Sequence, residues 1–240
     1  MFWKKIVFLA ILVPAMFGCA SRPQVVDLHK GADIFNDRSR VGVRVQIRDG
    51  LPTVWETDRA RGGNVEGLLQ AGLVAIRTSK LTSHAKGLPM ADLKEIEIQI
   101  LKELTARGID AVVIHEKDVR DFKPGDFDTK DGSYATSDFR PLRDRLGVER
   151  LLAVVVDRFG FNYPFSGIIP MAAGDPMAQV SGSASIVDLR TNAYQWMRRF
   201  NVLRGVGAAW DSPPAYPALT QKYFEAIEIA KEEILNDLFR

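Results

Sequence analysis

Three observations predict an α/β fold, in which a mixed β-sheet with flanking helices forms a single domain over residues 41–240. Residues 41–47 alternate large apolar side chains with smaller or polar ones, which is typical of a half-buried strand. The apolar run Ala111-Val112-Val113-Ile114 directly follows a helical pattern, and such αβ units indicate a sheet covered by helices. Residues 217–239 carry apolar side chains every three or four positions, which predicts an amphipathic C-terminal helix.

The first half of the domain predicts a strand followed by two helices. Asp49-Gly50 is a typical turn sequence and ends the first strand. Apolar residues at helical spacing then predict a helix that begins after residue 64 and continues to about residue 85. A second apolar stripe predicts a helix from Pro89 to about Arg107, where Gly108 is a typical stop.

The second half predicts further strands and a return to helix. In chain order the elements are a strand at 111–114, a polar loop at 121–136, a short helix from Ser137 to Leu146, a buried strand at 151–156, a hairpin with arms at 180–189 and 194–202, and the C-terminal helix. Because a hairpin follows strands that are linked by helices, the sheet is predicted to be mixed.

Composition excludes two classes of protein. With 46% hydrophobic and 26% charged residues, the chain has a globular composition and is not disordered as a whole. Lys4 and Lys5 account for the formal charge of +2, so the remainder is neutral and is not expected to bind nucleic acid. The single cysteine cannot form an internal disulfide, so packing of the core alone must hold the fold together.

Residues 1–18 have the three parts of an export signal. A cationic start at Lys4 and Lys5 precedes an apolar run from Ile6 to Phe17, and the small residue Gly18 follows. A bilayer-spanning helix needs roughly 20 apolar residues, whereas this run is shorter and contains Pro14. The segment is therefore predicted to be a signal peptide and not a membrane-spanning helix.

The sequence Met16-Phe17-Gly18-Cys19 resembles the lipobox of bacterial lipoproteins. The resemblance implies cleavage before Cys19, a diacylglyceryl group on its sulfur and an acyl chain (palmitate) on the new N-terminus. Several acyl chains together give a stable anchor. In the same family an aspartate after the cysteine favours the inner membrane; here Ala20 follows, which implies the outer membrane and a domain that faces the periplasm. The alternative is an ordinary secretory leader with an incidental cysteine.

Residues 19–40 are predicted to be the lipidated N-terminus and a tether. They are polar and irregular, and they include Arg22-Pro23. The predicted organisation is thus a signal peptide at 1–18, the tether at 19–40 and one periplasmic domain at 41–240.

The element order, the sequence Arg-Leu-Gly-Val at 145–148 after the polar loop, and Val187-Asp188-Leu189 before the turn at Thr191-Asn192 resemble periplasmic lipoprotein domains of the curli-secretion type. The N-terminal domain of the Tol-Pal propeller protein and the lipoprotein activators of peptidoglycan synthases share that general fold. The resemblance implies a role through protein contacts. The curli channel inserts two long hairpins into the membrane, whereas this sequence has one candidate hairpin, so a channel is not expected.

The sequence predicts no metal site and no cofactor. His29, His84 and His115 are far apart along the chain, and metal sites need several converging ligands. Asp126, Asp128 and Asp131 resemble a calcium loop in part, but Phe127 and the missing glutamate at the twelfth position depart from it.

No nucleophile–base pair is evident, so no catalytic residue is assigned. Ser181-Gly182-Ser183 lies inside a predicted strand and not in the elbow that a serine nucleophile requires. A hydrolase around His115, Asp118, Asp157 and the polar loop remains the enzymatic alternative.

The segment 160–176 is predicted to be an apolar, proline-rich loop. Because loops are usually polar, its large side chains either fold into the core or form a contact surface. We favour contact with another protein or a second copy of this chain, through Phe161, Tyr163, Phe165, Ile168, Ile169 and Met171.

These observations predict a membrane-anchored periplasmic lipoprotein that acts through protein contacts in assembly, secretion or maintenance of the cell envelope. The alternatives are the hydrolase and a module that binds a glycan, lipid or peptide at the apolar loop.

Overall fold

The structure, a computed structural model, describes residues 32–48, 50–58, 63–64, 78–123, 125–126, 132–166, 171–207, 210–212 and 215–239. Cys19 and the rest of residues 1–31 lie outside the described residues. Within the described ranges, no helix is both long enough and apolar enough to cross a membrane. The predicted fold class is confirmed: a mixed sheet is flanked by helices, and an amphipathic helix ends the domain.

The strands of the described residues form one sheet. They are β1 (Val41–Ile47), β2 (Thr53–Asp58), β3 (Gly63–Asn64), β4 (Ala111–Val113), β5 (Arg150–Ser166), β6 (Met171–Ala172), β7 (Met177–Asp188) and β8 (Tyr194–Gly205). β5 is the central strand. Along one side it pairs in parallel with β1 and then with β2, and along the other it pairs antiparallel with β7. β4 extends the sheet beyond β1, and β8 extends it beyond β7.

Three helices cover one face of the sheet. They are α1 (described over residues 78–86), α2 (Ala91–Ala106) and the C-terminal helix, which we name α5 (Pro217–Phe239). Their apolar stripes pack on the inward residues of β1, β5, β7 and β8 to form the main core. α2 ends before Gly108, which has a φ of +73°, as the sequence predicts.

The opposite face is covered over only part of its length. There α3 (Glu116–Val119), α4 (Pro141–Leu146) and the segment around Ala135 pack on the first residues of β5 and the last residues of β7. The members of this second cluster from the sheet are Leu151, Ala153 and Val187. The remainder of this face, toward the other end of β5, has no covering helix among the described residues.

The first described segment is tied to the beginning of β5. Asp37 follows a short 3-10 helix (Ala32–Phe35), and its carboxylate accepts two hydrogen bonds of 2.6 Å from the guanidinium of Arg150. Arg150 also donates to Gln195 of β8 at 2.8 Å. These bonds from Arg150 hold the pKa of Asp37 far below its usual range. The point at which the predicted tether enters the domain is therefore fixed to the sheet.

A bulge divides β5 into two halves. Val156 pairs with Gly182 and Arg158 with Ser181, so Asp157 is an extra residue relative to β7. On the other side, Ile47 of β1 pairs with Val156 and Thr53 of β2 with Gly160. β1 and β2 thus lie one after the other along β5.

Two glycines allow the strands to approach at this point. Gly160 has a φ of +136°, and a Cβ there would lie 2.1 Å from the carbonyl oxygen of Thr53. A Cβ on Gly182 would lie 2.0 Å from the carbonyl oxygen of Val155. Both contacts are with backbone atoms, so a side-chain movement would not relieve them.

The interpretation of residues 160–176 as a loop is wrong for its first part. β5 continues through Ser166, and it pairs with β2 and β7 over these residues. Phe161 and Phe165 are 0% and 1% exposed, so they lie inside the protein and do not present a contact surface. The physical reason is the bulge, which turns the aromatic side chains of this half of β5 inward.

Two smaller predictions also differ from the structure. β2 was not predicted, because Thr53–Asp58 is short and has charged residues at its end. α4 begins at Pro141 and not near Ser137, because proline is well suited to the first helical position. The predicted start of the first helix after Asn64 lies outside the described residues.

We expect Gly160→Ala to lower the free energy of unfolding by more than about 3 kcal/mol, because alanine is strained at this φ and clashes with backbone. Gly207→Ala is the matched control, since a Cβ there meets nothing within 4 Å. Urea denaturation of the two variants measures the difference. Equal stability of both variants would contradict the assignment of Gly160 as a site of close strand contact.

Candidate functional site on the open face of the sheet

One surface of the sheet carries exposed polar side chains and no covering helix among the described residues. It consists of the outward side chains of 158–162 in β5, 179–183 in β7 and 199–203 in β8, together with Trp55 of β2, and we name it the open face. Its members alternate with core residues such as Phe159, Phe161 and Val180. Because successive strand residues point to opposite faces, the open face lies opposite α1 and α5.

Three amide side chains form a row across the open face. Asn162 Nδ2 donates to Gln179 Oε1 at 3.0 Å, and Gln179 Nε2 donates to Asn201 Oδ1 at 2.8 Å. Gln179 is 6% exposed at the centre of the row, whereas Asn201 at its end is exposed. The two hydrogen bonds fix the amide planes, so the row presents donors and acceptors in set positions.

An aromatic side chain lies beside this row. Trp55 pairs in register with Asn162, and residues in register on parallel strands share a face. Its neighbour Val54 is buried in the core, so Trp55 points to the outside and is partly exposed. The row therefore runs from an indole ring on β2 to an exposed amide on β8.

Two arginines lie on the same face. Arg158 is opposite Ser181, which is in turn opposite Asn201, and Arg199 is opposite Ser183. In the described part of the chain, no acidic side chain lies within ion-pair distance of either guanidinium. Asp157, the acidic residue next to Arg158, pairs with Arg48 at 3.1 Å. The open face thus combines fixed hydrogen-bonding groups, an aromatic ring and unneutralised positive charge.

The structure separates the residues of the predicted contact surface. Phe161 and Phe165 are buried, and Tyr163 packs on Phe165 and Trp210 with ring centroids 4.7 and 5.4 Å apart. Ile168 and Ile169 lie outside the described residues, and the side chain of Met171 in β6 is likewise not described. The six residues are therefore not found together on one exposed surface.

The residues of the enzymatic alternative are not brought together either. His115 directly precedes α3, and its amide donates to the carboxylate of Asp118 at 2.8 Å. Val113 pairs with Val43 and Val156 pairs with Ile47, so His115 and Asp157 are offset by about 10 Å along the strands, with β1 between β4 and β5. The carboxylate of Asp118 instead accepts the backbone N–H of His115, and that of Asp157 lies 3.1 Å from Arg48.

The other candidate motifs have the following positions. Ser181 and Ser183 lie inside β7, as predicted, and are not in a nucleophile elbow. Asp126 is exposed, whereas Asp128 and Asp131 lie outside the described residues. Among the described side chains, no group of three or more His, Cys, Asp and Glu is arranged to hold a metal ion.

Sequence reasoning missed the open face. Trp55 could not be placed because β2 was not predicted, and Asn162 was assigned to a loop. Gln179 bonds to Asn162, 17 residues before it, and to Asn201, 22 residues after it. No local sequence pattern reveals contacts between residues so far apart. The available signal was the alternation of polar and apolar residues in 178–183.

Comparisons with known proteins give distant structural likenesses. No protein-family model and no curated protein matches the chain. Protein XCC0632 of Xanthomonas campestris, whose family model is DUF330, is similar at 14% identity and a TM-score of 0.40, over 82% of this chain and 81% of that one. Lipoprotein GNA1162 of Neisseria meningitidis is similar at 15% identity and a TM-score of 0.28, over 82% and 97%. The PelC dodecamer of Paraburkholderia phytofirmans is similar at 9% identity and a TM-score of 0.27, over 85% of this chain and 91% of that one. These likenesses assign neither a family nor a role, and the resemblance to curli-secretion domains stays a prediction.

His84 of α1 is half-buried on the other side of the sheet. Its ring packs on Phe161 and Tyr216, and Nε2 lies 2.9 Å from Thr220 Oγ1. The Thr220 hydroxyl donates to the carbonyl of Ala215, so Nε2 must carry the hydrogen. Burial lowers the pKa of His84 below its ordinary value of 6.5, because the charged ring is poorly solvated there.

This burial predicts a loss of stability in mildly acidic solution. Since the unfolded chain binds the proton of His84 more readily than the folded one, stability is complete above pH 6.5 and falls as the pH drops below it. Urea denaturation at pH 7.5 and 5.0 measures this difference. We expect this difference in stability to be smaller in His84→Gln and unchanged in the exposed control His115→Gln. The same pH dependence in the wild type and both variants would contradict this role for His84.

Proposed function

We propose that this chain is a lipid-anchored protein of the bacterial cell envelope that acts by binding through the open face. The observation that carries the proposal is the sequence Gly18-Cys19 at the end of the export signal, with Cys19 as the single cysteine of the chain. Cleavage before Cys19 makes that residue the N-terminus and places the lipid at the start of the tether.

The open face supports a binding role. Binding surfaces that stand on rigid strands hold their polar groups in place, and here hydrogen bonds fix Asn162, Gln179 and Asn201 in one row. Of the residues of the enzymatic alternative, Asp118 accepts the backbone N–H of His115, and Asp157 pairs with Arg48 away from His115. We therefore place the protein among non-catalytic components that assemble or maintain the envelope.

The proposed location is the outer membrane, with the domain in the periplasm. The absence of aspartate at position 20 supports this location, because Ala20 follows the cysteine. Residues 20–31 span at most about 40 Å when fully extended, so the domain stays close to its own membrane.

Two substitutions at the anchor test the proposal. We expect Cys19→Ser to abolish lipid attachment, leaving an unprocessed or soluble form, and Ala20→Asp to move the protein to the inner membrane. Density-gradient fractionation and mass spectrometry of the N-terminal peptide measure both effects. Ala20→Ser serves as the control and should remain in the outer membrane.

The outcome that would overturn the anchor is a Cys19→Ser protein that is processed normally and stays in the outer-membrane fraction. A wild-type N-terminal peptide that lacks acyl chains would have the same meaning. If Ala20→Asp alone leaves the location unchanged, the outer-membrane assignment is wrong while the anchor stands.

A further inference from the structure

We infer that the open face binds an acidic carbohydrate, a sugar chain that carries carboxylate or phosphate groups. Trp55 stacks on the apolar face of a sugar ring, and Arg158 and Arg199 bind the acidic groups. Asn162 and Asn201, which the buried Gln179 holds in one row, bind hydroxyl groups. The inference rests on the proposed function only in taking the open face as the binding surface; it adds the class of ligand that this face binds in the envelope.

The amide row matches the hydrogen-bonding properties of a sugar. Each hydroxyl both donates and accepts, and a carboxamide offers a carbonyl oxygen and an NH₂ group side by side. Because Gln179 bonds to both neighbours, the amide planes cannot rotate freely, and the exposed amide of Asn201 is already oriented. Preorganised groups reduce the entropy lost when a ligand binds.

The position of Trp55 provides the apolar part of the site. An indole offers a large flat surface with a small loss of conformational freedom, and aromatic rings contribute strongly where one face of a ligand is apolar. A sugar ring has such a face, formed by its C–H groups. Trp55 lies next to Asn162 in the sheet, so stacking and hydrogen bonding act on one ligand.

The charge of the open face favours an acidic ligand over a neutral one. Arg158 and Arg199 lie on strands two positions apart in the sheet, about 10 Å across, on either side of β7. Since Asp157 is engaged with Arg48, both guanidinium groups can bind anions. Arginine binds carboxylate and phosphate through paired hydrogen bonds.

The extent of the surface indicates an oligosaccharide. Trp55 is level with Asn162, and Arg158 is four residues back along β5, which corresponds to about 13 Å. An extended peptide is a poorer fit, because a peptide adds to a sheet at its edge, which among the described strands is β8 on this side. Asn162 and Gln179 lie on β5 and β7, which are paired on both sides here, so a strand added at β8 would not lie against them.

The test uses the mature lipidated protein in detergent micelles, with calorimetry and tryptophan fluorescence as readouts. The probes are oligogalacturonate for carboxylate, a phosphorylated mannose oligosaccharide for phosphate, maltooligosaccharide as the neutral sugar, and inorganic phosphate alone. We expect at least one acidic sugar to bind about tenfold or more tightly than the neutral one. Inorganic phosphate should bind less tightly than either acidic sugar.

Variants separate the three parts of the site. Trp55→Ala and Asn201→Ala should each weaken binding of the acidic sugar about tenfold, with Trp55→Phe retaining part of the affinity. Arg158→Gln with Arg199→Gln should remove the preference for acidic over neutral sugar. Asn236→Ala, at an exposed position on α5, is the matched control for Asn201 and should leave binding unchanged. Thermal melts confirm that each variant is folded.

Three results would overturn the inference. These are no binding of either acidic sugar, equal binding of acidic and neutral sugars, or binding of inorganic polyphosphate, a polyanion without sugar rings, as tight as that of the acidic sugars and insensitive to Trp55→Ala. Soluble Cys19→Ser protein should bind as wild type does. Loss of sugar binding with intact lipidation refutes this inference alone, whereas sugar binding by wild-type protein whose N-terminal peptide carries no acyl chain refutes the anchor alone.

Discussion

The close packing of β5 against the strands on either side is the constraint on which the rest of the fold depends. β5 runs for 17 residues and supplies pairing partners to β1, β2 and β7. Gly160 brings its backbone against Thr53, and Gly182 brings β7 against Val155. Any side chain at these two positions would push the strands apart, and the hydrogen bonds that join both halves of the sheet would be lost.

The bulge at Asp157 decides which residues form the open face. Before it, Leu152, Val154 and Val156 point to the core; after it, Phe159 and Phe161 do. The residues of β5 that point to the core therefore have even numbers before the bulge and odd numbers after it. A strand of unbroken register would turn these two phenylalanines outward and Arg158 and Asn162 inward. The extra residue thus places the aromatic rings in the core and the polar groups on the surface.

Local patterns predicted the elements that are amphipathic by themselves. β1, α2 and α5 each bury one regular stripe, so their periodicity identifies them without tertiary information. The second half of β5 was missed although Phe159, Phe161, Tyr163 and Phe165 alternate, because Pro164 suggested a loop. That proline lies beyond Asn162, the last residue that pairs with β7, where the strand tolerates it. The amide row depends on register between distant strands, which only the fold provides.

The two ends of β5 have different surroundings, and this difference relates the anchor to the open face. Asp37 ties the end of the predicted tether to Arg150, the first residue of β5. Arg158 lies eight residues further on, about 25 Å along the strand, and Asn162 lies beyond it. In the proposed arrangement with the anchor at Cys19, the short tether would keep the Arg150 end of the domain near the bilayer. The open face would then lie toward the far end, where a sugar chain would reach it more easily than the head groups of that membrane.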